Sequence, residues 1–198
     1  MLKNTSLVIF FLFFIFTPAA GARVYIDINA PTLVQIPIVL PKWQAVNKTP
    51  SDLSEKVYGI LANDLTLSGF FKVIDYQRLP SPLKEKEGIP NTPSLEGWTS
   101  SIGDILLAGE AAWEPNGNQL RLKFHLFDLV EQRHLVGKQY EGPSQLLRKM
   151  VHKIADEVML QLTGEKGVHN TKIAYSAFRD GNKEIFIADF DGADVRQI

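Results

Sequence analysis

Apolar residues recur at helical spacing in two stretches of the chain. The first, Thr49–Gly69, opens with Thr49 as a suitable N-cap and Pro50 at the first helical position. The second, Ser144–Thr163, is followed by Gly164, a typical helix-ending residue. The predicted buried faces are Leu53, Val57, Ile60, Leu61 and Leu65 in the first helix, and Leu147, Met150, Val151, Ile154, Val158, Met159 and Leu162 in the second.

Period-two alternation predicts strands between these helices. The stretch "FFKVID" is typical of a buried strand. Farther on, "DILLAGEAAWE" and "LRLKFHLFDL" flank Asn116-Gly117, a strong short-range signal for a hairpin turn, and "HLVGKQYEG" predicts a third antiparallel strand. In the returning strand, Leu120, Leu122, Phe124 and Leu126 face one way, and Arg121, Lys123 and His125 face the other.

Prolines limit what can be predicted in two other stretches. In "TLVQIPIVLP", Pro37 cannot donate to a ladder, so the stretch is expected to form an edge strand or to bend there. Residues 76–98 contain four prolines and the charged cluster "KEKEG". A loop this long is uncommon inside a domain and is often functional, but a solvated, mobile connection is the favoured interpretation.

The last residues repeat a strand-and-turn pattern. Asp180-Gly181 and Asp191-Gly192 separate "KIAYSAF", "KEIFIADF" and "ADVRQI", which predicts three short strands joined by tight turns. Asp189, Asp191 and Asp194 resemble a calcium loop only in part. The glycine comes too early and the closing glutamate is missing, so a hairpin turn is the favoured interpretation.

Taken in order, these elements predict an α+β fold. One sheet with both helices on one face would bury both apolar stripes, and this domain is expected to span residues 23–164. Residues 165–171 are rich in glycine and polar side chains and are expected to be a linker. Residues 172–198 then form a separate group of strands.

The N-terminus predicts export. Lys3 precedes a wholly apolar run from Leu7 to Phe16, which is too short to span a bilayer as a helix, and small residues follow. Residues 1–22 are therefore expected to be a signal peptide, with Ala20 and Ala22 forming the cleavage site. An uncleaved membrane anchor is the less favoured alternative. We accordingly expect an exported protein.

Candidate chemistry is sparse. The formal net charge of −1 does not favour nucleic acid, and the absence of cysteine excludes disulfides and thiolate chemistry. None of the four histidines has metal-ligand spacing in the sequence. His125 and His134 lie on or near a strand pair and can be neighbours, but ordinary surface histidines are favoured over a metal site. No cofactor, metal or catalytic residue is predicted, which favours a binding protein over an enzyme.

Several segments together resemble the TolB family of the Tol-Pal envelope system. These are "VYIDI", "DLTLSGFF", "LTGEKG" followed by "TKIAY", and "ADFDG". The resemblance covers essentially residues 23–198. It implies an N-terminal α/β domain with a mixed sheet, then a β-propeller of four-stranded blades. Residues 172–198 would be an incomplete first blade, so the sequence is expected to be a truncated chain.

The resemblance also implies partners. TolB-family proteins bind the inner-membrane protein TolA through the mature N-terminal arm, and the lipoprotein Pal through the propeller. The residues at the arm position are Arg23, Val24, Tyr25, Ile26, Asp27, Ile28 and Asn29. Such an extended segment can add as a strand to a partner's sheet, or it can be the first strand of its own domain.

The implied function is that of a non-enzymatic periplasmic adaptor, supporting envelope integrity, constriction in cell division and macromolecule import. One alternative is the N-terminal part of a propeller-fused hydrolase, which the sequence downstream of Ile198 would decide. Another is a module that binds acidic glycans through Arg121, Lys123 and His125, although a solvated strand face is favoured there.

Overall fold

The computed structural model describes residues 34–47, 49–80, 83, 95, 97–114 and 119–198. The predicted signal peptide, the arm at residues 23–29 and the turn at Asn116-Gly117 lie outside these residues. Everything described belongs to one compact unit, Thr32–Ile198.

Six strands form a mixed sheet, as expected for an α+β fold. They are β1 (Ile36–Leu40), β2 (Gln44–Val46), β3 (Phe71–Asp75), β4 (Ile105–Trp113), β5 (Gln119–Asp128) and β6 (Arg133–Pro143). The order is β3-β1-β4-β5-β6, with β2 beside the second half of β4. Strands β1 to β4 pair in parallel, whereas β4, β5 and β6 pair antiparallel as the alternation predicts.

Strand β1 is not an edge strand, so that prediction from Pro37 is wrong. It lies between β3 and β4. Pairing with β4 begins only at Ile38, so the missing N–H of Pro37 falls before the β1–β4 ladder starts. The carbonyl of Pro37 accepts a hydrogen bond of 3.0 Å from the backbone N–H of Asp104. A proline is tolerated at this position because no ladder hydrogen bond requires an N–H there.

Helix α1 spans Ser51–Leu67 and begins one residue later than predicted. Thr49 is not its N-cap, since Pro50 occupies that position and no side chain caps the helix. The hydroxyl of Thr49 instead accepts a 2.8 Å hydrogen bond from the backbone N–H of Trp113, so it joins the helix entry to the end of β4. Gly69 follows the helix with φ of 76°, in the left-handed conformation that glycine adopts without strain.

Helix α2 spans Leu147–Thr163 and is preceded by a 3₁₀ turn at Ser144–Leu146. Gly164 caps it with φ of 75°. One core cluster contains apolar side chains of both helices and of the sheet: Ile38, Leu40, Trp43, Leu53, Val57, Leu61, Leu65, Phe71, Ile105, Leu107, Ala111, Leu120, Leu122, Phe124, Leu126, Met150, Val151, Ile154, Ala155, Val158 and Met159. The predicted stripes are therefore core.

A second apolar cluster covers the other face of the sheet. Val39, Leu106 and Ala108 of the strands pack there with Phe127, Leu129, Leu79, Leu83 and Trp98. The last three come from the proline-rich stretch after β3, and each is at most 5% exposed. The described parts of this stretch therefore cover the sheet, in contrast to the expected solvated connection. Its apolar side chains, rather than its prolines, determine where it packs.

The last residues form a separate antiparallel sheet of β7 (Lys172–Arg179), β8 (Asn182–Asp189) and β9 (Arg196–Gln197). The turn between β7 and β8 has φ of 51° at Asp180 and 84° at Gly181, as a tight hairpin turn requires. The three predicted strands are thus present. Within the described residues, neither helix has the length and apolarity that crossing a bilayer requires.

Candidate functional site

Polar side chains gather where the two helices meet the second sheet, and we call this region the junction. It is formed by Asp64 of α1, by Arg148, His152 and Asp156 of α2, by His169, and by Lys172, Asp189 and Asp191 of the second sheet and its turn. None of the predicted arm or cleavage residues belongs to it, because those residues lie outside the described part of the chain.

The most deeply buried contact of the junction joins Asp64 and His152. Asp64 is fully buried, His152 is 3% exposed, and Nδ1 of His152 lies 2.7 Å from Oδ2 of Asp64. A carboxylate can only accept, so Nδ1 carries the proton. This bond joins α1 to α2 out of reach of solvent, where a polar group is costly unless it is hydrogen-bonded.

His169 connects both helices to the start of the second sheet. It is 1% exposed, and its backbone N–H and Nδ1 both lie 2.9 Å from Oδ1 of Asp156. Its Nε2 lies 3.2 Å from the backbone carbonyl of Asp64, and its ring meets that of Phe190 edge-on at 5.3 Å. The carboxylate and the carbonyl are both acceptors, so each nitrogen of the His169 ring faces an acceptor.

Ion pairs attach the second sheet to helix α2. The guanidinium of Arg148 donates to Asp191 through Nη2, and its Nε lies 3.8 Å from a carboxylate oxygen of Asp189. Lys172 at the start of β7 donates to Asp189 at the end of β8. Two carboxylates thus share two cations, and one of these cations belongs to α2.

This arrangement lowers the pKa of both carboxyl groups. The hydrogen bond from Lys172 is the main cause for Asp189, outweighing burial, and the charges of Lys172, His152 and Arg148 add to it. For Asp191, burial alone would raise the pKa. The hydrogen bonds from Arg148 and from the backbone N–H of Ala193, with the charges of Arg148 and His152, lower the pKa overall. Both groups are therefore held as carboxylates.

A cleft of about 200 Å³ opens beside these residues, between the start of α2 and the second sheet. Its lining includes Arg148, His152, His169, Lys172 and Asp189. Among the described residues, Nε of Arg148 and Nε2 of His152 are buried and have no hydrogen-bond partner. The guanidinium nitrogen can only donate, and the imidazole nitrogen donates or accepts according to its protonation, so this side of the junction can take a further polar contact.

Three junction residues have the ligand types of a metal site. Donor atoms of Asp64, His152 and Asp191 lie within 4.8 Å of one another. However, Arg148 already supplies a positive charge to Asp191, and Asp64 already accepts from His152. The geometry therefore suits an ion-paired contact between helix and sheet better than it suits a bound ion.

The face of β5 that carries Arg121, Lys123 and His125 is not a row of unpaired basic side chains. Nε of Arg121 lies 2.7 Å from Oε1 of Glu114, and Glu141 lines the same shallow surface. His125 contacts His134. Because Arg121 already has an acidic partner, this face is a poor match for the acidic glycan considered from the sequence.

The junction was not predicted from the sequence, although two polar residues on apolar helix faces indicate it. Asp64 falls between Leu61 and Leu65 on the apolar face of α1, and His152 follows Val151 on that of α2. A polar residue on a buried helix face needs a partner. Their pairing could not be predicted from the sequence, because the two residues are 88 positions apart and only the packing of the helices brings them together.

Comparison with known proteins decides the family. Residues 24–135, more than half of the chain, match the family model described as the TolB amino-terminal domain. The chain belongs to the TolB family. The resemblance inferred from "DLTLSGFF" and the other segments is thus confirmed.

Individual relatives agree with this assignment. The chain is 32% identical over 194 residues to the Tol-Pal system protein TolB of Rickettsia canadensis, covering 96% of this chain and 43% of the relative. It is 28% identical over 181 residues to the TolB of Syntrophotalea carbinolica, covering 91% of this chain and 42% of that protein. The chain therefore spans less than half the length of these relatives.

A solved structure supports the fold. The crystal structure of TolB from Acinetobacter baumannii superposes with a TM-score of 0.67 at 20% identity, covering 82% of this chain and 38% of that chain. At this identity the superposition concerns the fold alone.

Proposed function

We propose that this TolB-family chain is a non-enzymatic adaptor of the periplasm that works within the Tol-Pal system. It would connect a TolA-like inner-membrane protein to a Pal-like outer-membrane lipoprotein and so support envelope integrity, constriction in division and macromolecule import. The match of residues 24–135 to the TolB amino-terminal domain carries this proposal. The Tol-Pal name of the relatives supports the system to which it would belong.

The partner-binding segment would be the arm at residues 23–29, following removal of a signal peptide ending at Ala22. The family match begins at residue 24 and so includes nearly all of this arm. An extended segment binds by adding to a sheet edge, where backbone bonds give affinity and alternate side chains give specificity. Val24, Ile26 and Ile28 would contact the partner on one face.

The domain organisation follows the same proposal. Residues 23–164 would be the N-terminal domain with both helices on one face of the sheet, residues 165–171 the linker, and residues 172–198 the first blade of a β-propeller, the part that would contribute to Pal binding. The three antiparallel strands β7 to β9 are consistent with such a blade. In this reading the junction holds the blade against α1 and α2 through Arg148 and His169.

The alternation of the arm provides the test. Replacing Val24, Ile26 and Ile28 together by Ser should weaken binding to the periplasmic domain of TolA at least tenfold, measured by isothermal titration. The matched control replaces Tyr25 and Asp27 by Ser on the opposite face and should have a smaller effect. Equal losses in both variants, or no loss in either, would contradict binding by strand addition.

A further inference from the structure

Two histidines of adjacent strands face each other on the sheet surface opposite the helices. Nδ1 of His125 in β5 lies 2.9 Å from Nε2 of His134 in β6. The ring centroids are 4.9 Å apart, and the rings are tilted by 41°. The two nitrogens are close enough to share a hydrogen bond, and His134 is exposed to solvent.

A β-bulge places His134 on this surface. Leu126 pairs with Val136, but the next residue of β5, Phe127, pairs with His134, so Leu135 is an extra residue in β6. In a regular strand the alternation would point His134 toward the helices. The bulge reverses this direction and places His134 on the same face as His125. Bulges of this kind re-aim a side chain and are common beside functional sites.

A glycine gives the ring of His125 its space. Gly137 lies directly across from His125, and a Cβ atom built at Gly137 would come within 2.8 Å of Nδ1 and Cε1 of the ring. Any other residue at this position would push the ring away from His134. Phe127, which is buried, lies against both rings at centroid distances of 6.0 Å and 5.1 Å.

The distance between the nitrogens fits metal coordination. Imidazole nitrogens bind transition metals at about 2.0–2.1 Å, so two of them at a right angle are about 2.9 Å apart. Metals also need the neutral ring. Burial, with the nearby His134 and Lys123, lowers the pKa of His125 and so favours its neutral form.

We propose that His125 and His134 form a two-histidine site for a divalent transition metal, binding Cu²⁺ most tightly. Imidazole suits copper, nickel and zinc, and the general order of affinities places Cu²⁺ first. Among the described residues, no third histidine or carboxylate joins the pair. The remaining coordination positions are therefore open to water or to a donor from another molecule.

The site is tested by titrating the full chain with CuCl₂, ZnCl₂ and MgCl₂ in separate calorimetric experiments. We expect one Cu²⁺ per chain at this site, weaker Zn²⁺ binding and no Mg²⁺ binding. The His125→Gln and His134→Gln variants should each lower Cu²⁺ affinity at least tenfold. The buried His152 and His169 are unchanged in every variant, so any Cu²⁺ binding at these two residues is the same in all of them.

Two further variants test whether Cu²⁺ binding depends on the geometry of the histidine pair or on a neighbouring charge. Gly137→Ala keeps both ligands but displaces the ring of His125, so it should also weaken Cu²⁺ binding. Lys123→Gln removes a neighbouring cation and should leave the affinity equal or slightly higher. Electron paramagnetic resonance of the Cu²⁺ complex should show two coordinating imidazole nitrogens in the wild type and one in each histidine variant.

If Cu²⁺ affinity is unchanged by both histidine substitutions in chains whose circular dichroism matches that of the wild type, the pair is a hydrogen-bonded histidine pair only. Equal binding of Mg²⁺ and Cu²⁺ would also overturn the proposal, because imidazole is a good ligand for Cu²⁺, whereas Mg²⁺ prefers oxygen ligands.

Discussion

Nδ1 of His152 lies 2.7 Å from Oδ2 of Asp64, and both side chains are buried between helices α1 and α2. The two residues are far apart in sequence, and each interrupts an apolar helix face. Their contact gives a donor to Oδ2 of a buried carboxylate whose Oδ1 has no hydrogen-bond partner within the described part of the chain, and it lies next to the ion pairs that attach the second sheet. The stability of the region therefore depends on this pair.

Removing the partner of Asp64 should be costly. His152→Ala leaves a buried carboxylate without its donor, and we expect the free energy of unfolding to fall by about 3–5 kcal/mol. Urea denaturation measures this change. As the control, Lys56→Ala breaks the exposed pair with Asp52 and should cost no more than about 0.5 kcal/mol. Similar losses in both variants would show that the buried pair has no special role.

Acid should weaken the attachment of the second sheet. The pKa of Asp189 and that of Asp191 are both lowered in the folded protein. Their stabilising effect is then fully present above the ordinary carboxyl pKa of about 3.9, and it is lost as the pH falls through the lower folded-state values. An Asp189→Asn/Asp191→Asn variant should be less stable than the wild type at pH 7.

The pH series gives the decisive comparison for this prediction. Denaturation at pH values from 7 down to 3 should show the difference between wild type and double variant shrinking below about pH 4. A difference that stays constant over the whole range would mean that the two carboxylates do not stabilise the folded state through their charge.

Gly167 should tolerate no side chain. A Cβ atom there would lie 2.2 Å from Oδ1 and 2.6 Å from Cα of Asp156, and the helix backbone cannot yield. Gly167→Ala should therefore cost about 1–3 kcal/mol and speed proteolytic cleavage within residues 165–171, because His169 loses its place against Asp156.

The control for this glycine is Gly59, which has open space around it on α1. Gly59→Ala should stabilise the protein by about 0.5–1 kcal/mol through the helix preference of alanine. If Gly167→Ala is as well tolerated as Gly59→Ala, the linker does not pack as described.

A second close approach lies in the core of the sheet. A Cβ atom at Gly109 would come within 2.7 Å of three ring atoms of Trp43, whose side chain is fully buried. Gly109→Ala should cost about 1–3 kcal/mol by overpacking and should alter the fluorescence of Trp43. At Gly142, a Cβ atom would meet only side-chain atoms, of Met150 at 3.3 Å and of Leu146 at 3.9 Å, so Gly142→Ala should be tolerated. Comparable losses in the two variants would contradict this packing.

Elements with strong periodicity could be predicted from the sequence. The stripe from Met150 to Met159 and the alternation from Leu120 to Leu126 each gave an element of the right type and the right buried face. Burial of one face is imposed by local spacing, so local sequence contains the information. The turns at Asp180-Gly181 and the cap at Gly164 were predictable for the same reason.

Features that depend on distant neighbours could not be predicted. Pro37 indicated an edge strand, but the outcome depended on where β4 begins to pair. Thr49 indicated a cap, but its hydroxyl bonds to Trp113, 64 residues away. The bulge at Leu135 and the junction at Asp64 depend on tertiary pairing in the same way. Tertiary contacts override local preference at such positions.

We propose that the arm at residues 23–29 binds a TolA-like partner and that the stability of the folded domain does not depend on it. The most direct test is isothermal titration of the TolA periplasmic domain with the wild-type chain and with a chain lacking residues 23–29, alongside their thermal midpoints. Deletion of the arm should abolish binding and change the midpoint little. Unchanged affinity in the shortened chain would contradict it.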